Sequence, residues 1–316
     1  MSSSDLISLA EIRAAAGRIA PYVFHTPIVP MVPNGLKLKA ENLQPVGAFK
    51  IRGAFNAILS LSDEERRRGV IAHSSGNHAQ AVAYAAQILG VKAVIVVPSN
   101  APSVKVEATR RWGAEIHLVD PMGDARTELC AALAKEHGYI VVPPYESRRI
   151  VAGTGTIGLE ILQQARDVET VYVQVSGGGL IAGVAAAIKQ SNAAIRVIGV
   201  EPEFANDAQQ SFREGRIVRV PPEETMRTFA DGLRVSQLGE IPWAHIRAYV
   251  DDIVTVSEQQ IRETMRRIAV EARLVAEPSG AVAAAGALAG DSRSERTVAI
   301  VSGGNVDAKL FASIFA

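Results

Sequence analysis

The sequence predicts an α/β protein built on mostly parallel sheets, and three observations support this. Short β-branched runs alternate with longer alanine-rich stretches, which is the pattern of parallel strands connected by helices. Hydrophobic residues make up 48% of the chain but aromatic residues only 5%, so Ala, Val, Ile and Leu supply the core. Glycine clusters stand where strands give way to helices. The length of 316 residues suggests about two domains.

The alternation can be followed along the whole chain. An N-terminal helix, with Ser4 or Asp5 as its expected cap, precedes a series of strand and helix pairs. The predicted strands are VIAH, KAVIVVP, EIHLVD, YIVVPPY, TVYVQV, IRVIGVEP, DDIVTV and TVAIV. No linker, repeat or low-complexity tract divides them, so a domain boundary must be a crossing between two sheets. The irregular block after Glu203, through PPEET and FADGL to IPWAHIRAY, is expected to cover or shape a site.

Charge and cysteine content narrow the classes of partner. The 33 basic and 33 acidic residues cancel, which argues against nucleic acid or an anionic membrane and favours a small-molecule partner. No apolar run approaches the roughly 20 residues that span a bilayer, and Asp5 and Glu11 interrupt any signal peptide. The single cysteine, Cys130, excludes an intrachain disulfide and a cysteine-based metal cage. We therefore expect a cytoplasmic protein.

Five glycine-rich segments are candidate anion-binding turns, because backbone amides at a helix start attract phosphate. They are SSGNH at 74–78, GTGTIG at 153–158, SGGGL at 176–180, EPSGAV at 277–282 and SGGN at 302–305. Several such turns in one α/β chain favour a phosphorylated cofactor. The literal GxGxxG at Gly153, Gly155 and Gly158 does not support a nicotinamide dinucleotide, because ESRRIVA separates it from the preceding strand and no acid ends the next one.

Lys50 is the candidate reactive amine. It lies in ENLQPVGAFKIRGAFNAI, at the start of a predicted helix and between Phe49 and Ile51. An apolar flank removes hydration from an ammonium group, and the positive end of the helix dipole also favours the neutral amine. A neutral lysine can form a Schiff base with a carbonyl compound.

Five segments in this order closely resemble the fold type II pyridoxal-phosphate enzymes, in the serine/threonine dehydratase and serine racemase branch that includes the threo-3-hydroxyaspartate dehydratases. The segments are ENLQPVGAFKIRGAFNA, AHSSGNHAQAVAYAA, VSGGGLIAG, VEPEFANDAQQS and VSGGNVD. The likeness runs from about Ile12 to Phe315. It implies two open, twisted, mostly parallel sheets like those of tryptophan synthase β, with the cofactor in the cleft between two domains. The expected domains are a large one from 1–68 and 139–316 and a small mobile one from 69–138.

The resemblance also implies roles in holding pyridoxal 5'-phosphate. Lys50 would carry the cofactor and then move the substrate's α-proton, Asn77 would bond the phenolic oxygen, and Ser302 would face the pyridine nitrogen. Glu277 would line the pyridine end of the site. The remaining cofactor contacts would come from Phe49 and from a phosphate loop of Ser176, Gly177, Gly178, Gly179 and Leu180. Ser176 departs from the tetraglycine that is commoner in this branch.

Two further elements of the resemblance concern the substrate. The loop Ser74, Ser75, Gly76, Asn77 and His78 resembles the element that binds the α-carboxylate. Ser75 is the second acid/base in the racemases, whereas dedicated threonine dehydratases tend to have alanine there. Arg126 aligns with an arginine that points toward the distal group of the substrate, and a guanidinium is suited to bind a carboxylate in a bidentate manner. This favours a substrate such as L-threo-3-hydroxyaspartate, although Arg126 could equally be a solvated helix residue.

Glu201, Ala205 and Asp207 match a cation loop of the family, in which two carboxylates and a backbone carbonyl bind Mg²⁺, Ca²⁺ or Mn²⁺. The alternative is a helix start capped by Asp207.

The reaction implied is α,β-elimination of L-threonine, L-serine or L-threo-3-hydroxyaspartate to a 2-keto acid and ammonia, by a homodimer acting in amino-acid metabolism. The alternatives are a serine or aspartate-type racemase with side dehydratase activity, and an idle cofactor-binding protein. A β-replacement enzyme of the cysteine synthase type is disfavoured, because its carboxylate loop usually reads TSGNTG.

Overall fold

The computed structural model describes residues 6–74, 76–101, 103–120, 125–290 and 294–316, and ten strands are found in these ranges. In chain order they are β1 Ile28–Pro30, β2 Lys37–Ala40, β3 Val70–His73, β4 Ala93–Pro98, β5 Glu115–Val119, β6 Ile140–Val141, β7 Thr170–Gln174, β8 Arg196–Pro202, β9 Asp252–Val256 and β10 Thr297–Val301.

Helices follow or precede nearly every strand. They are α1 Leu9–Ile19, α2 Lys50–Leu59, α3 Asp63–Arg68, α4 Asn77–Ile88, α5 Ser103–Arg111, α6 Ala125–His137, α7 Arg148–Gln164, α8 Gly179–Ser191, α9 Asp207–Glu214, α10 Pro222–Thr225, α11 Glu240–Tyr249, α12 Glu258–Arg267, α13 Pro278–Ala289 and α14 Ala308–Ser313. Among the described residues, none of these helices is long and apolar enough to cross a membrane.

The strands form two sheets. The larger has the order β1-β2-β10-β7-β8-β9 and the smaller has the order β5-β4-β3-β6. All neighbouring strands run parallel except β1, which is antiparallel to β2. The prediction of an α/β fold with two mostly parallel sheets is therefore confirmed. The smaller sheet is built from strands between residues 70 and 141, but the exact division into domains stays a prediction.

Apolar layers cover both faces of the larger sheet. One layer packs α12 and α13 against it, and the other packs α8 and α11. A third core lies between α2, α4 and the smaller sheet. Because β7, β8 and β10 are parallel strands of one sheet, the segments that follow them leave from the same edge, which is where ligands bind in other α/β proteins.

The GxGxxG segment lies inside α7 and is not a turn between a strand and a helix, so that expectation was wrong. A Cβ atom at Gly153 would lie 2.6 Å from the carbonyl oxygen of Arg52, and one at Gly158 would lie 2.9 Å from that of Val184. These glycines therefore allow α7 to pack closely against α2 and α8. The expected cap of the first helix was also wrong, because α1 begins at a capping box formed by Ser8 and Glu11, and Ser4 and Asp5 lie outside the described residues.

Candidate active site

A cleft of about 540 Å³ opens at the carboxyl ends of the strands and is lined by residues that follow both sheets. Its lining includes most of the residues that the sequence pointed to. These are Phe49, Lys50, Ser74, Gly76, Asn77, His78, Arg126, Ser176, Gly177, Gly178, Gly179, Leu180, Glu277 and Ser302. Ser75 lies outside the described residues, so the structure says nothing of its position.

Lys50 is the first residue of α2 and projects into the cleft. Its Nζ donates a hydrogen bond of 2.8 Å to the carbonyl oxygen of Pro144 and lies 5.2 Å from the centre of the Phe49 ring. Burial lowers the pKa of Lys50 to about 8 because desolvation penalises the ammonium form. The sequence-based expectation of a desolvated amine that favours its neutral form agrees with this pKa. Such an amine is available as a nucleophile and as a proton acceptor near neutral pH.

The glycine loop connects β7 to the start of α8. Gly178 has φ of +89°, a conformation that L side chains rarely adopt. Gly177 and Gly179 have no room for a side chain, because a Cβ at Gly177 would clash with the Tyr145 ring and one at Gly179 would lie 2.9 Å from the Tyr145 Cβ. The backbone of the loop therefore forms the wall of the cleft. The first turn of the 13-residue α8 has unpaired amides and a positive dipole end, which suits a phosphate group.

The amide of Asn77 lies in a hydrogen-bonded chain at the base of the cleft. Its Nδ2 donates to Oε1 of Glu277 at 2.6 Å, and its Oδ1 accepts from Nδ2 of Asn305 at 2.9 Å. Glu277 is the residue before α13 and is buried. Asn305 belongs to the SGGN motif, but nothing in the motif itself indicates a contact with Asn77.

Ser302 follows β10 and is also buried in the lining of the cleft. Its carbonyl oxygen accepts a hydrogen bond of 2.9 Å from the backbone amide of Phe49, which ties the Lys50 segment to the end of β10. A neutral hydroxyl at this position can donate or accept one hydrogen bond but supplies no negative charge.

The loop after β3 brings small and polar groups to the opposite wall. The Ser74 hydroxyl accepts from the amide of Gly76 at 3.2 Å. His78 is buried, and its Nε2 lies 2.8 Å from the carbonyl oxygen of Val142. Burial, together with the nearby charge of Lys50, lowers the pKa of His78 to about 3. The ring is therefore neutral at physiological pH and donates its Nε2 proton to Val142.

Arg126 is an exposed residue in the first turn of α6, and it also lines the cleft. The irregular segment before α11 forms part of the same wall, as the sequence predicted in general terms. Its lining residues, which sequence reasoning did not identify, are Arg219, Asp231, Gly232, Leu233, Arg234, Val235, Ser236 and Gln237. Tyr145 was also missed, because nothing in the sequence around it indicates that its ring packs on the glycine loop.

The predicted cation loop brings two carboxylates together next to β8. Glu201 is fully buried and accepts from the amides of Ala208 at 3.2 Å and Gln209 at 2.8 Å. Both carboxylate oxygens of Asp207 are buried and have no hydrogen-bond partner among the described residues. Burial raises the pKa of Asp207 to about 8, and burial followed by the charge of Asp207 raises that of Glu201. Unpaired buried carboxylate oxygens are what a bound cation would satisfy.

No group of three or more His, Cys, Asp or Glu side chains in the described ranges could hold a metal ion by itself. A cation at Glu201 and Asp207 would therefore need backbone carbonyls and water as further ligands. The carbonyl of Ala205, in the short loop between these two residues, is the candidate that the sequence named.

The partly buried lysine, the glycine loop at a helix start and the polar base of the cleft together fit a phosphorylated aldehyde. Residues 19–303 match the family described as pyridoxal-phosphate dependent enzyme. The protein therefore belongs to this family, and its cofactor is pyridoxal phosphate.

Individual relatives place it more narrowly. The chain is 42% identical over 312 residues to L-threo-3-hydroxyaspartate ammonia-lyase of Saccharomyces cerevisiae, covering 96% of this chain and 95% of that protein. It is 43% identical over 274 residues to the catabolic L-threonine dehydratase of Escherichia coli, covering 85% and 82%. The structure of maize serine racemase superposes with a TM-score of 0.92 at 40% identity, covering 98% and 97%. The protein is thus a member of the serine/threonine dehydratase and serine racemase branch, as the motifs predicted.

Proposed function

We propose that the protein is a pyridoxal-phosphate-dependent ammonia-lyase that converts a β-hydroxy amino acid into a 2-keto acid and ammonia, by α,β-elimination of water followed by hydrolysis that takes the water up again. The observation that carries this proposal is the partly buried Lys50 amine, whose pKa of about 8 suits proton transfer, in the lining of a cleft that also holds a phosphate-type glycine loop. Relatives named as ammonia-lyases and dehydratases support the same reaction class.

Different residues around the cleft would bind different parts of the cofactor. Lys50 would join the aldehyde carbon, Ser176 to Leu180 would receive the phosphate, and Asn77 would donate to the phenolic oxygen. Phe49 and Glu277 would flank the ring. When bound, the cofactor withdraws electrons from the α-carbon of the amino acid attached to it.

Lys50 holds and moves the α-proton. With cofactor and amino acid bound, the Nζ of Lys50 would lie beside the α-carbon as a free amine. The lowered pKa allows this amine to accept the proton near neutral pH, and the carbonyl of Pro144, which is 2.8 Å from Nζ here, stabilises the resulting ammonium.

Ser302 would face the pyridine nitrogen. Because its hydroxyl carries no charge, it does not favour protonation of that nitrogen as a carboxylate would. The electron demand on the α-carbon stays moderate, which favours loss of the β-hydroxyl over side reactions such as transamination.

The wall that contains Ser74, Gly76, Asn77 and His78 would bind the substrate α-carboxylate, with Ser75 as a further contact taken from the sequence. Arg126 would select a second carboxylate, which makes L-threo-3-hydroxyaspartate the favoured substrate over L-threonine and L-serine. The exposed position of Arg126 on the rim of the cleft supports this, since the guanidinium can reach the cleft without being buried unpaired.

Glu201, Asp207 and the Ala205 carbonyl would bind a divalent cation, Mg²⁺, Ca²⁺ or Mn²⁺. The two unpartnered oxygens of Asp207 support this assignment over a helix cap. In this scheme the ion would stabilise the fold of the loop without joining the reaction.

We also infer a homodimer located in the cytoplasm. Val32 and Val270 are 62% and 59% exposed, and the amide of Val32 donates to the carbonyl of Glu271, the neighbour of Val270, which brings these two valines close together. An exposed apolar surface of this kind is typical of a contact between subunits. Cys130 is buried and unpaired, which suits a reducing compartment.

Racemisation is the second candidate, favoured by the close superposition with maize serine racemase. It would require an acid/base on the face opposite Lys50, and Ser75 is the candidate from the sequence. Formation of the D-amino acid, measured beside keto acid in one reaction mixture, separates the two activities.

The deciding experiment is keto acid formation by purified enzyme with L-serine, D-serine, L-threonine and L-threo-3-hydroxyaspartate. We expect activity that is lost in Lys50→Ala and retained in the matched surface variant Lys92→Ala. We expect the specificity constant for 3-hydroxyaspartate to exceed the others by more than ten-fold, or about 1.4 kcal/mol, and Arg126→Ala to remove this preference. Undiminished activity of Lys50→Ala would contradict the reaction, and an unchanged preference in Arg126→Ala would contradict the substrate assignment.

A further inference from the structure

We propose that Asn305 is a positioning residue that sets the orientation of the Asn77 side-chain amide and thereby the polarity of the hydrogen bond offered to the cofactor's phenolic oxygen. The inference rests on the proposed role of Asn77 as the contact to that oxygen. It assigns a function to Asn305, which does not itself reach the cofactor in this scheme.

Hydrogen bonds connect Glu277, Asn77, Asn305 and the carbonyl of Val46 in a row, and only one assignment of donors and acceptors is consistent along this row. Glu277 is a carboxylate that accepts, so Nδ2 of Asn77 must face its Oε1, at 2.6 Å. The carbonyl oxygen of Val46 also only accepts, so Nδ2 of Asn305 must face it, at 2.8 Å. The same Nδ2 of Asn305 donates its second proton to Oδ1 of Asn77 at 2.9 Å. The two fixed acceptors at the ends therefore determine both amides between them.

One proton of the Asn77 amide is left for the cleft. Nδ2 carries two protons, one of which goes to Glu277, and no described residue accepts the other. A flipped amide would instead present Oδ1 to the phenolic oxygen and to Glu277, which are both acceptors. Asn305 excludes that orientation, because Oδ1 is held by its donated hydrogen bond.

This row of hydrogen bonds also connects the two sheets. Asn77 begins α4, directly after β3 of the smaller sheet, whereas Asn305 follows β10 and Glu277 precedes α13 on the larger sheet. Gly303 leaves the room for this arrangement, since a Cβ there would clash with Oε1 of Glu277 and lie 3.1 Å from Nδ2 of Asn77. The orientation of Asn77 is thus set by groups from the opposite side of the cleft.

Two substitutions at one position separate hydrogen-bond polarity from packing. Asn305→Asp keeps the side-chain shape, but its carboxylate places acceptor oxygens against two other acceptors, Oδ1 of Asn77 and the carbonyl oxygen of Val46. Asn305→Ala removes the amide and places no acceptor against either oxygen. Binding of pyridoxal phosphate to the apoprotein is titrated by absorbance, with thermal melts as a check of folding. We expect Asn305→Asp to weaken binding by about ten-fold or more and Asn305→Ala to weaken it less. A packing role alone would reverse this order.

Two controls test whether the added negative charge of Asn305→Asp alone explains weaker cofactor binding. Asn192→Asp adds the same charge at an exposed site, where the side-chain oxygen that accepts from the Ala194 amide is retained, and it should bind the cofactor normally. The analogue of pyridoxal phosphate that lacks the phenolic hydroxyl should bind Asn305→Asp and wild type with equal affinity. A simple repulsion between the new carboxylate and the cofactor phosphate would weaken both ligands alike and would overturn the proposal.

The Asn77→Ala variant separates the positioning role of Asn305 from the role of Asn77 as the contact to the phenolic oxygen, on which it rests. We expect Asn77→Ala to weaken cofactor binding and the double variant Asn77→Ala/Asn305→Asp to be no weaker, because Asn305 acts through Asn77. If Asn77→Ala binds normally, the proposed role of Asn77 is wrong. If Asn77→Ala is weak while Asn305→Asp binds as wild type, only the positioning role of Asn305 is wrong.

Discussion

Replacement of Arg52 by methionine should destabilise the enzyme strongly, although Arg52 lies outside the cleft. Arg52 is two residues after Lys50 on α2, and its side chain is 1% exposed. Its guanidinium donates to both oxygens of Glu41, at 2.7 and 2.8 Å, and to both oxygens of Glu160, at 2.6 and 2.9 Å. Lys39 forms a further buried ion pair with Glu160. This cluster holds β2, α2 and α7 together.

The expected loss follows from what remains when the guanidinium is removed. Burial raises the pKa of Glu41, but the charges of Arg52 and Lys39 outweigh this effect and hold it below its usual range. Arg52→Met leaves two buried carboxylates facing one lysine, and an unpaired buried charge costs about 3–5 kcal/mol. Arg52→Lys keeps the charge but cannot bind two carboxylates in a bidentate manner, so we expect a loss smaller than that of Arg52→Met but still measurable.

The assay is urea unfolding of the cofactor-loaded enzyme at fixed protein concentration, followed by far-ultraviolet circular dichroism. The matched control is Arg110→Met, which breaks an ion pair with Glu107 whose two side chains are both more than half exposed. Such a pair contributes at most about 1 kcal/mol. A loss in Arg52→Met no larger than that in Arg110→Met would refute the reasoning.

Three further predictions concern the cofactor, the cation and the assembly. The rate at which the apoprotein binds pyridoxal phosphate should rise with pH and level off above pH 8. Burial lowers the pKa of Lys50 to about 8, and only the neutral amine reacts. A rate that still rises through pH 10 would argue against this. Mn²⁺ should raise the melting temperature of wild type and of Glu203→Ala but not of Asp207→Ala, as measured by calorimetry with and without chelator. Val270→Glu should shift sedimentation from dimer to monomer, and an unchanged profile would place the contact elsewhere.

Much of the architecture could be predicted because the relevant signals are local. The β-branched runs VIAH and TVYVQV correspond to β3 and β7, since a strand buried on both faces needs little beyond its own sequence to be recognised. The glycine loop at Gly177 to Gly179 could also be located, because it stands between such a strand and an alanine-rich helix. Lys50 could be selected from its apolar neighbours.

Other features depend on tertiary contacts and left no local signal. The glycines of GTGTIG resemble a phosphate-binding motif, yet they serve close packing of α7 against α2 and α8. The Asn77, Glu277 and Asn305 chain depends on three segments far apart in sequence. Arg52 and its carboxylates look like ordinary surface charges until the fold buries them. Ser8 caps α1 with the same side-chain chemistry that Ser4 or Asp5 would offer, so the local sequence does not decide between them.

The central claim is that Lys50 is the residue that carries pyridoxal phosphate. Borohydride reduction of the purified holoenzyme, followed by digestion and mass spectrometry, tests it directly, because reduction converts the linkage between lysine and cofactor into a stable secondary amine. We predict one modified peptide per chain, containing a pyridoxyl group on Lys50, and no modification in Lys50→Ala. Modification of a different lysine, or an unmodified Lys50 peptide from active enzyme, would contradict the assignment of the site.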